Sequence, residues 1–418
     1  MRKSIALVVL LTFWNIAAAA DPWMGNTQTL AADAEDQFQP AVAYNSVHDE
    51  FLVVWQADVS GDYEIVGVRV DSAGAPIGSS FAISEPGTSQ FAPDVAYDPV
   101  NDRYIVVWVS DYSGTLTDTD IAGRFIPWDG PSASLATFGI NGALTGQWHP
   151  SLAVNPAIGE FLVVWSNIEA ATPAWISAQR WATDGSGSVT SAFDITAGPE
   201  YRINPKVAWN DVESQYLVVY ERFIGGNEED VYGTRLTWAG AVLGTEIGIA
   251  GWSEEESQVD VASCRGEYLV AWKGGVESGS KIYVRAVLGD GSVGAVVSNL
   301  TGPHPRENQP SVACNENGAE YVMTWELQNA EGYRGVRGAF IGLDATPRDV
   351  YHIYFPGAGQ VLDYTRPELA VGDHSEALVA WESDRPDLTS QDIRGRLAGG
   401  RLFADGFESG DDNYWADN

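Results

Sequence analysis

Short apolar runs separated by polar, glycine-containing turns follow one another along residues 27–400, without 3.6-residue periodicity or helix caps. The clearest run has the form aromatic-Leu-Val-Val-Trp, which is apolar on both faces of an extended strand. It recurs about every 50–57 residues, a period typical of propellers and solenoids. The seven copies are Phe51–Trp55, Tyr104–Trp108, Phe161–Trp165, Tyr216–Tyr220, Tyr268–Trp272, Tyr321–Trp325 and Ala377–Trp381.

Each copy has the same neighbours, so each repeat predicts four short strands, here called a to d. Strand a lies about ten residues upstream, begins near a proline and continues as Val-Ala or Leu-Ala. The residues at the proline position are Pro40, Pro93, Pro150, Pro205, Val259, Pro310 and Pro367. The aromatic run is strand b, and strand c carries an arginine. These arginines are Arg69, Arg124, Arg180, Arg235, Arg285, Arg337 and Arg396. A glycine-containing turn then leads to strand d, as in Phe81–Ser84.

Four antiparallel strands per repeat are typical of a propeller blade. The Val and Ala side chains of strand a are small enough to crowd around a central axis, and strand b is apolar on both faces, as a blade between two neighbours requires. Residues 21–400 are therefore predicted to form an all-β, seven-bladed β-propeller with four antiparallel strands per blade. An open β-solenoid is the alternative.

The two ends of the repeat region favour the closed ring. The seventh repeat lacks a good strand d, whereas Thr27–Ala31 followed by Asp36–Pro40 resembles Phe81–Ser84 followed by Ser89–Pro93. The missing strand is thus predicted at the start of the mature chain, where it completes the last blade. Such closure removes exposed sheet edges and would serve no purpose in an open solenoid.

The repeats resemble those of secreted bacterial propeller proteins built on the pattern P-x-V-A-Y…Y-L-V-V-W…I-x-G-x-R, and the resemblance covers residues 27–400. It implies the fold but no single activity. The segment Leu402–Asp411, followed by Trp415, is similar to C-terminal segments of many secreted proteins of Gram-negative bacteria. This similarity implies a processing or surface-handling tag over the acidic tail, residues 401–418; a flexible acidic terminus is the alternative.

The first 20 residues have the features of a signal peptide. Arg2 and Lys3 precede the apolar segment Ile5–Trp14, and Ala17–Ala20 supplies small residues for cleavage. We therefore expect a secreted protein, either extracellular or in the periplasm or on the outer cell surface. A retained N-terminal anchor is the alternative, although no apolar stretch is long enough to span a bilayer.

The chain is strongly acidic, with 57 Asp and Glu against 23 Lys and Arg and a formal charge of −34. Removing Arg2 and Lys3 with the signal peptide changes this charge to −36, since residues 1–20 contain no acidic residue (−34 − 2 = −36). Such a charge argues against nucleic-acid partners and against anionic membrane surfaces. It is compatible with simple solubility, cation binding or neutral glycan ligands, and we expect a monomer.

The two cysteines, Cys264 and Cys314, end strand a in adjacent repeats. Neighbouring strands a lie close together near the axis, and an oxidising compartment permits a disulfide. A bridge between blades five and six is one interpretation, and two small buried thiols are the other.

The repeated Trp and Arg residues are better explained by structure than by chemistry. Trp recurs at one strand-end position, where a large ring packs between blades. Some propeller hydrolases of the sialidase type clamp a carboxylate with several arginines, but here Arg occupies the same position in all seven repeats. An active site breaks the repeat symmetry, whereas a structural ion pair preserves it. The Ser-x-Asp-x-Gly-x-Thr-Trp box of sialidases is also absent.

Candidate ligand-binding residues lie in the d–a loops, which share one rim of the ring with the b–c loops. Aromatic rings exposed there can stack on sugar rings. Histidines of the same rim could act with the tyrosines as acid and base. The candidates are Trp148, His149, Tyr201, Trp252, His304 and Tyr364.

The b–c loops are acidic, which raises the question of a Ca²⁺ site. The nearest match to a calcium loop is Asp118-Thr-Asp120-Ile-Ala-Gly123, and solvated turn carboxylates are the alternative interpretation. No other cofactor is expected, because the sequence contains no pair of histidines with zinc-ligand spacing, no Gly-x-Ser-x-Gly elbow and no phosphate-binding loop.

These observations favour a secreted, non-catalytic binding propeller whose ligand, a glycan or a protein, lies on the rim of d–a and b–c loops. One alternative is a polysaccharide-active enzyme, a lyase or glycoside hydrolase with a site in the rim loops. Another is a surface scaffold without a small ligand. A wide pocket with convergent groups of perturbed pKa would favour the enzyme, and a flat, symmetric rim would favour binding.

Overall fold

The computed structural model describes residues 26–398, except 32–35, 131–135, 143–144, 170–171, 197, 225–228, 252–254, 277–278, 299, 301–305, 329–331, 355–363 and 385–390. The predicted signal peptide and the C-terminal tail lie outside the described residues. The described residues form 28 strands in seven antiparallel four-stranded sheets and contain no helix. Nothing in this part of the chain is therefore a helix able to cross a bilayer.

The seven sheets repeat one order of strands from the axis outward. The innermost strands, a, are β2 (Gln37–Asn45), β6 (Ser89–Asp98), β10 (Gly146–Asn155), β14 (Arg202–Asn210), β18 (Glu256–Cys264), β22 (Arg306–Asn315) and β26 (Tyr364–Val371). The second strands, b, are β3 (Glu50–Val59), β7 (Arg103–Asp111), β11 (Glu160–Ile168), β15 (Gln215–Phe223), β19 (Glu267–Gly274), β23 (Glu320–Gln328) and β27 (Ala377–Asp384). The third strands, c, are β4 (Asp62–Asp71), β8 (Asp120–Pro127), β12 (Trp175–Ala182), β16 (Glu229–Thr237), β20 (Lys281–Val287), β24 (Arg334–Gly342) and β28 (Gln391–Ala398). The outer strands, d, are β5 (Pro76–Ala82), β9 (Phe138–Asn141), β13 (Phe193–Asp194), β17 (Val242–Gly248), β21 (Val293–Ser298), β25 (Pro347–Tyr354) and β1 (Gln28–Ala31).

The sheets are arranged as blades around one axis. Each inner strand contacts the inner strand of the next blade, from β2 through β6, β10, β14, β18 and β22 to β26. The ring closes because β26 also contacts β2. The prediction of an all-β, seven-bladed β-propeller is confirmed, and the open solenoid is excluded.

The first strand of the chain completes the last blade. β1 pairs antiparallel with β28, and Gln28 lies opposite Gly395. The side chain of Leu30 is buried against the core of this blade, together with Ile393 and Leu378. The predicted closure by an N-terminal strand is therefore correct, and it joins residues at opposite ends of the described chain.

The repeated Trp residues form the core between blades. Trp108 of the second blade packs with Leu52 and Val54 of the first, and Trp325 of the sixth packs with Leu269 of the fifth. The large rings at this position, Trp or Tyr220, are fully buried in all seven blades. A ring of this size fills the gap between two stacked sheets, so the structural interpretation of these residues is confirmed.

The repeated Arg of strand c also has structural partners. In the first blade, Nη2 of Arg69 lies 2.5 Å from Oε2 of Glu50, and Arg180 contacts Glu160 in the same way in the third blade at 2.5 Å. These glutamates immediately precede the aromatic residue of strand b. Both ion pairs are within one blade and largely buried, which agrees with a role in blade stability.

A disulfide joins two neighbouring inner strands. Cys264 of β18 is bonded to Cys314 of β22, with 5.2 Å between their Cα atoms. The bridge therefore links blades five and six, as one of the two interpretations of the sequence proposed.

Candidate functional site

Each inner strand contains a bulge at the residue before the proline position. The strand register shifts there in all seven blades, for example between Phe38 and Ala41 of β2. The bulged residues have φ between 48° and 55°, in the left-handed region that non-glycine residues rarely adopt. They are Gln39, Ala92, His149, Asn204, Gln258, Gln309 and Arg366.

Hydrogen bonds from the neighbouring blade hold the bulges in place. The amide of Gln309 donates to Oε1 of Gln258 at 2.8 Å, and the amide of Arg366 donates to Oε1 of Gln309 at 2.9 Å. In the fifth blade, the amide of Gln258 itself donates to Oε1 of Glu221 at 2.6 Å. A left-handed residue costs roughly 1–2 kcal/mol, and these bonds from an adjacent blade offset that strain.

The bulges direct side chains of all seven blades into one cavity on the axis. The cavity has a volume of ≈ 390 Å³, and its lining includes the bulged residue of every inner strand. The start of each inner strand pairs with the end of strand b, as Phe38 does with Gln56. The cavity therefore lies at the end of the ring that carries the d–a and b–c loops, and we call it the channel mouth.

The residues after the proline position also line the channel mouth, and they break the symmetry of the repeat. The residues on either side of them are largely repeated, with Pro before and Val or Leu after in most blades, but this position holds five different residue types in the seven blades. In order from the first blade, its residues are Ala41, Asp94, Ser151, Lys206, Asp260, Ser311 and Glu368. Three carboxylates and one ammonium thus converge where a purely structural repeat would place identical side chains.

Lys206 carries the ammonium in this cluster. No ion pair joins this ammonium to any described residue, although the carboxylates of Asp94, Asp260 and Glu368 lie close enough to influence it. Burial lowers the pKa of Lys206, but these three carboxylates outweigh that effect and raise it above its usual value. Lys206 is therefore positively charged and remains available to a ligand.

The carboxylates of the cluster are fixed by hydrogen bonds from adjacent blades. Asp94 accepts a hydrogen bond of 3.0 Å from the amide of Leu152, and Asp260 accepts one of 2.8 Å from the amide of Val312. Oε2 of Glu368 accepts a hydrogen bond of 2.8 Å from the hydroxyl of Ser311. The acidic side chains are thus pre-oriented, which lowers the entropy lost when a ligand binds.

Burial and neighbouring charges shift the pKa values of several side chains in the channel mouth. Burial, opposed by Lys206 and assisted by Asp260, raises the pKa of Glu368 to about 7. Burial likewise raises the pKa of Asp260. Burial and the charge of Lys206 lower the pKa of His149 to about 4, so this imidazole is neutral near pH 7. The ring of His149 is exposed to water, yet protein atoms surround it on the channel wall, and this crowding explains the shift.

Two buried glutamates support the bulges: Glu221 lines the cavity, and Glu382 contacts two residues that line it. Burial, together with the charge of Glu229, raises the pKa of Glu221 to about 8, so a carboxyl of the cavity lining carries a proton at neutral pH. Glu382 accepts a hydrogen bond of 3.0 Å from Nη1 of Arg366 and another of 2.7 Å from the amide of Gln39. The protonated carboxyl of Glu221 can therefore donate a hydrogen bond, whereas the oxygens of Glu382 accept them, which suits a ligand that offers donors and acceptors together.

The structure places the rim candidates differently from one another. His149 lines the channel mouth, whereas Trp148, Tyr201 and Tyr364 do not. Trp148 lies in β10, partly buried, with its ring centroid 6.3 Å from that of Phe91. Tyr201 is 43% exposed, and its ring meets Phe223 edge-on. Trp252 and His304 lie outside the described residues.

The expectation of an exposed ring at Tyr364 is wrong. Tyr364 begins the inner strand β26 and is fully buried, with its ring centroid 4.5 Å from that of Tyr354. It occupies a loop position in the sequence pattern, but the strand begins earlier than expected. Tyr364 therefore contributes to packing between blades six and seven and cannot stack on a sugar.

The acidic b–c loop of the second blade shows an uncompensated carboxylate. Burial and the charge of Asp118 raise the pKa of Asp120, whose Oδ1 is buried without a hydrogen-bond partner. The groups of three clustered metal-ligating side chains among the described residues include neither Asp118 nor Asp120. Calcium binding by this loop stays a prediction.

Apart from His149, the polar residues of the channel mouth were not singled out from the sequence. They are ordinary polar residues flanking a proline, and nothing in their identity reveals that a bulge aims them at the axis. The available signal was the contrast between the repeated Pro and Val-Ala positions and the changing residue between them, such as Lys206 beside Asp260. Symmetry breaking, applied above only to the arginines, would have found the site.

Comparisons with known proteins support the fold alone. No protein-family model and no curated protein matches the sequence. A protein of unknown function from Dyadobacter fermentans is similar in structure, with a TM-score of 0.53, 11% identity and coverage of 91% of this chain and 100% of that one. A mutant of Trypanosoma rangeli sialidase displaying trans-sialidase activity has a TM-score of 0.50 and 10% identity, over 79% of this chain and 56% of that chain. The β-propeller domain of the Trilobed protease from Pyrococcus furiosus has a TM-score of 0.48 and 11% identity, over 84% and 91%. At such identities the chain is similar to propeller proteins in architecture.

Proposed function

We propose that the protein is a secreted glycan-binding propeller whose ligand enters the channel mouth. The observation that carries this proposal is the broken symmetry around Lys206: seven blades of one pattern present seven different combinations of polar side chains to a single cavity. Residues whose only role is to build the ring could be identical in every blade. Pockets that are concave, pre-formed and supplied with a few convergent polar groups are the usual sites of ligand binding.

The size of the cavity suits a small part of a glycan. Its volume of ≈ 390 Å³ lies near the lower end of the range of roughly 300–1,000 Å³ found for ligand sites. The proline rings at the bulges give the wall apolar patches, and the side chains beside them supply donors and acceptors. A sugar ring has the matching character, because its hydroxyls are polar and its C–H faces are apolar.

The charge of the cavity determines which sugars we expect it to bind. The carboxylates of Asp94, Asp260 and Glu368 face the ammonium of Lys206 in the cavity. The guanidinium of Arg366, which also lines the cavity, is paired with Glu382, so the channel mouth is acidic while the three carboxylates are ionised. An acidic sugar would meet repulsion from these carboxylates in a partly desolvated site. We therefore expect neutral or amino-bearing sugars to bind in preference to acidic ones.

A glycan array tests the proposal, with the mature protein probed against neutral, amino-bearing and acidic glycans. We expect selective retention of the first two classes. Asp260→Asn and Lys206→Met should abolish it, because both side chains face the cavity. The matched control is Tyr201→Ala, which removes an exposed rim ring that does not line the cavity. Retention that survives both channel variants but disappears in Tyr201→Ala would move the site to the rim and overturn the proposal.

The second candidate is a polysaccharide-active enzyme, and one observation favours it. The carboxyl of Glu368, with a pKa raised to about 7, lies in one cavity with other carboxylates, and a general acid works best with a pKa near the working pH. Released oligosaccharides on the same array, lost in Glu368→Gln while retention persists, would establish catalysis. Retention without products would leave binding as the function.

A further inference from the structure

A second cluster of ligating side chains lies at the opposite end of the ring from the channel mouth. Asp49 is in the turn between β2 and β3 of the first blade, and His374 and Glu376 are in the turn between β26 and β27 of the seventh. One ligating atom from each residue lies within 4.8 Å of the other two. Nδ1 of His374 is 3.8 Å from Oδ1 of Asp49. The cluster therefore spans the boundary at which the first and last blades meet.

We propose that Asp49, His374 and Glu376 bind a divalent transition-metal ion of the zinc class, here called the closure site. The proposal is independent of ligand binding at the channel mouth. Imidazole nitrogen together with two carboxylate oxygens is a ligand set that zinc accepts, with water as a fourth ligand. Calcium and magnesium prefer oxygen ligands alone, so the histidine favours a transition metal.

The surroundings of the Glu376 carboxylate favour a bound cation. Glu376 is half-buried, but both of its carboxylate oxygens are shielded from solvent, and neither accepts a hydrogen bond from a side chain of the described residues. An ionised carboxylate buried without a partner is costly, and a bound metal ion would supply the missing charge and coordination.

Glu376 also departs from the repeat in which it stands. The residues at its position in the first and third blades, Glu50 and Glu160, are bound by the repeated Arg of strand c. Glu376 instead folds over Gly372, where a Cβ atom would collide with its Oε1. In the seventh blade the strand-c arginine, Arg396, donates to the carbonyl oxygen of Ile353. The glutamate at this position therefore has a different role in the seventh blade. The absence of a side chain at Gly372 leaves the space that its carboxylate occupies.

The geometry is close to that of a loaded site. Zinc–ligand distances of about 2.0–2.1 Å place the ligand atoms of a tetrahedral site about 3.4 Å apart. The separation of 3.8 Å between His374 and Asp49 needs only a small adjustment, and their side chains are 64% and 40% exposed and can rotate. The hydroxyl of Tyr44 donates to Oδ1 of Asp49 at 2.9 Å, an outer hydrogen bond of the kind that orients metal ligands.

Zinc chloride alone is the probe for calorimetry on the full mature protein after treatment with chelator. We expect one zinc ion per chain and a rise in the melting temperature on loading. Glu376→Gln and His374→Ala should each weaken zinc binding by about a hundredfold or more. The matched control is His48→Ala, because His48 and Asp102 form an equivalent pair at the next blade boundary, 2.9 Å apart. X-ray absorption of the zinc form should show nitrogen and oxygen ligands without sulfur.

Glu376→Gln keeps the proposal testable if His374→Ala fails to fold. In chelator, Glu376→Gln should melt at the same temperature as the wild type or higher, since it removes a buried charge. Zinc affinity that is equal in the wild type and Glu376→Gln would overturn the proposal. So would a loss of zinc binding in His48→Ala alone, or the absence of stoichiometric binding by the wild type. None of these results bears on glycan retention at the channel mouth.

Discussion

Oε1 of Gln258 lies 2.8 Å from the amide nitrogen of Gln309, so a bulged residue of the fifth blade satisfies the bulged residue of the sixth. Gln309 does the same for the amide of Arg366 in the seventh blade, at 2.9 Å. The strained residues of the channel mouth therefore support one another across blade boundaries. A change at one of them is expected to affect its neighbour as well as any ligand.

Gln258→Ala should destabilise the protein by about 1–3 kcal/mol, because it leaves the amide of Gln309 without its partner in a partly buried position. Urea unfolding of the wild type and the variant measures this loss. Val276→Ala is the control: Val276 is 62% exposed, and its truncation should change the stability by no more than about 0.5 kcal/mol. Equal stability of Gln258→Ala and the control would mean that the bulge does not depend on this bond.

Trp108→Ala should cost about 3–5 kcal/mol, since the ring is fully buried between the first two blades and its Nε1 donates to Oε1 of Gln90 at 2.5 Å. Trp238→Ala is the matched control, because Trp238 is 48% exposed. Its ring lies under the guanidinium of Arg180, 5.4 Å from the ring centroid, so a change below about 1 kcal/mol is expected. Denaturant unfolding compares the two. Similar losses in both variants would contradict the core role assigned to the repeated Trp.

Removing the disulfide by the double substitution Cys264→Ser and Cys314→Ser should lower the free energy of unfolding by about 4 kcal/mol. The estimate follows from the sequence separation of 50 residues between the two cysteines. A bridge that closes a loop of this length lowers the conformational entropy of the unfolded chain. Thermal unfolding with and without reductant measures it. The wild type in reductant should behave like the double variant, and a double variant insensitive to reductant provides the control.

Glu221→Gln should remove a pH dependence of stability. Because the pKa of Glu221 is raised from 4.5 to about 8, the folded protein holds a proton between these values that the unfolded chain has lost. Wild-type stability therefore falls as the pH rises through this window, while the amide of the variant cannot ionise. We expect the stability difference between variant and wild type to change by about 3–4 kcal/mol in favour of the variant from pH 5 to pH 8.

Chemical denaturation at several pH values between 5 and 8 follows this effect. The pKa of Glu368 is raised to about 7. The stability difference between Glu368→Gln and the wild type should therefore show the same trend but level off at a lower pH. A constant difference between Glu221→Gln and the wild type across the range would contradict a raised pKa at Glu221.

The fold was predictable because its main determinants are local and repeated. A run such as Phe51–Trp55 has a two-faced apolar pattern that only a strand between two sheets can bury, and seven copies define seven blades. The closing strand at Gln28–Ala31 was predictable because it resembles strand d of another repeat. In these cases the sequence of one segment carries the information about its own conformation.

The channel mouth was harder to predict, because its geometry depends on backbone conformation and on assembly. The left-handed φ of 54° at His149 is unusual for a residue before proline, and nothing local in the sequence requires it. The convergence of Lys206 with Asp260 and Glu368 arises only when the ring closes, since these residues belong to three different blades. Tyr364 was misplaced for a related reason: its strand begins before the proline signal.

The pairing of the first strand with the last blade has a consequence for the order of folding. Asp36 accepts a hydrogen bond from the amide of Gln391, 355 residues away in sequence, and Gln39 bonds to Glu382 across 343 residues. These contacts are among the most distant that the described chain can make, and contacts of large sequence separation form slowly. During synthesis the earlier blades can assemble while Leu30 and the flank of the first blade still lack their partners. A ring that lacks only its last blade has two open flanks and is therefore the species most exposed to domain swapping. Rapid pairing of β28 with β1 closes both flanks and protects against it.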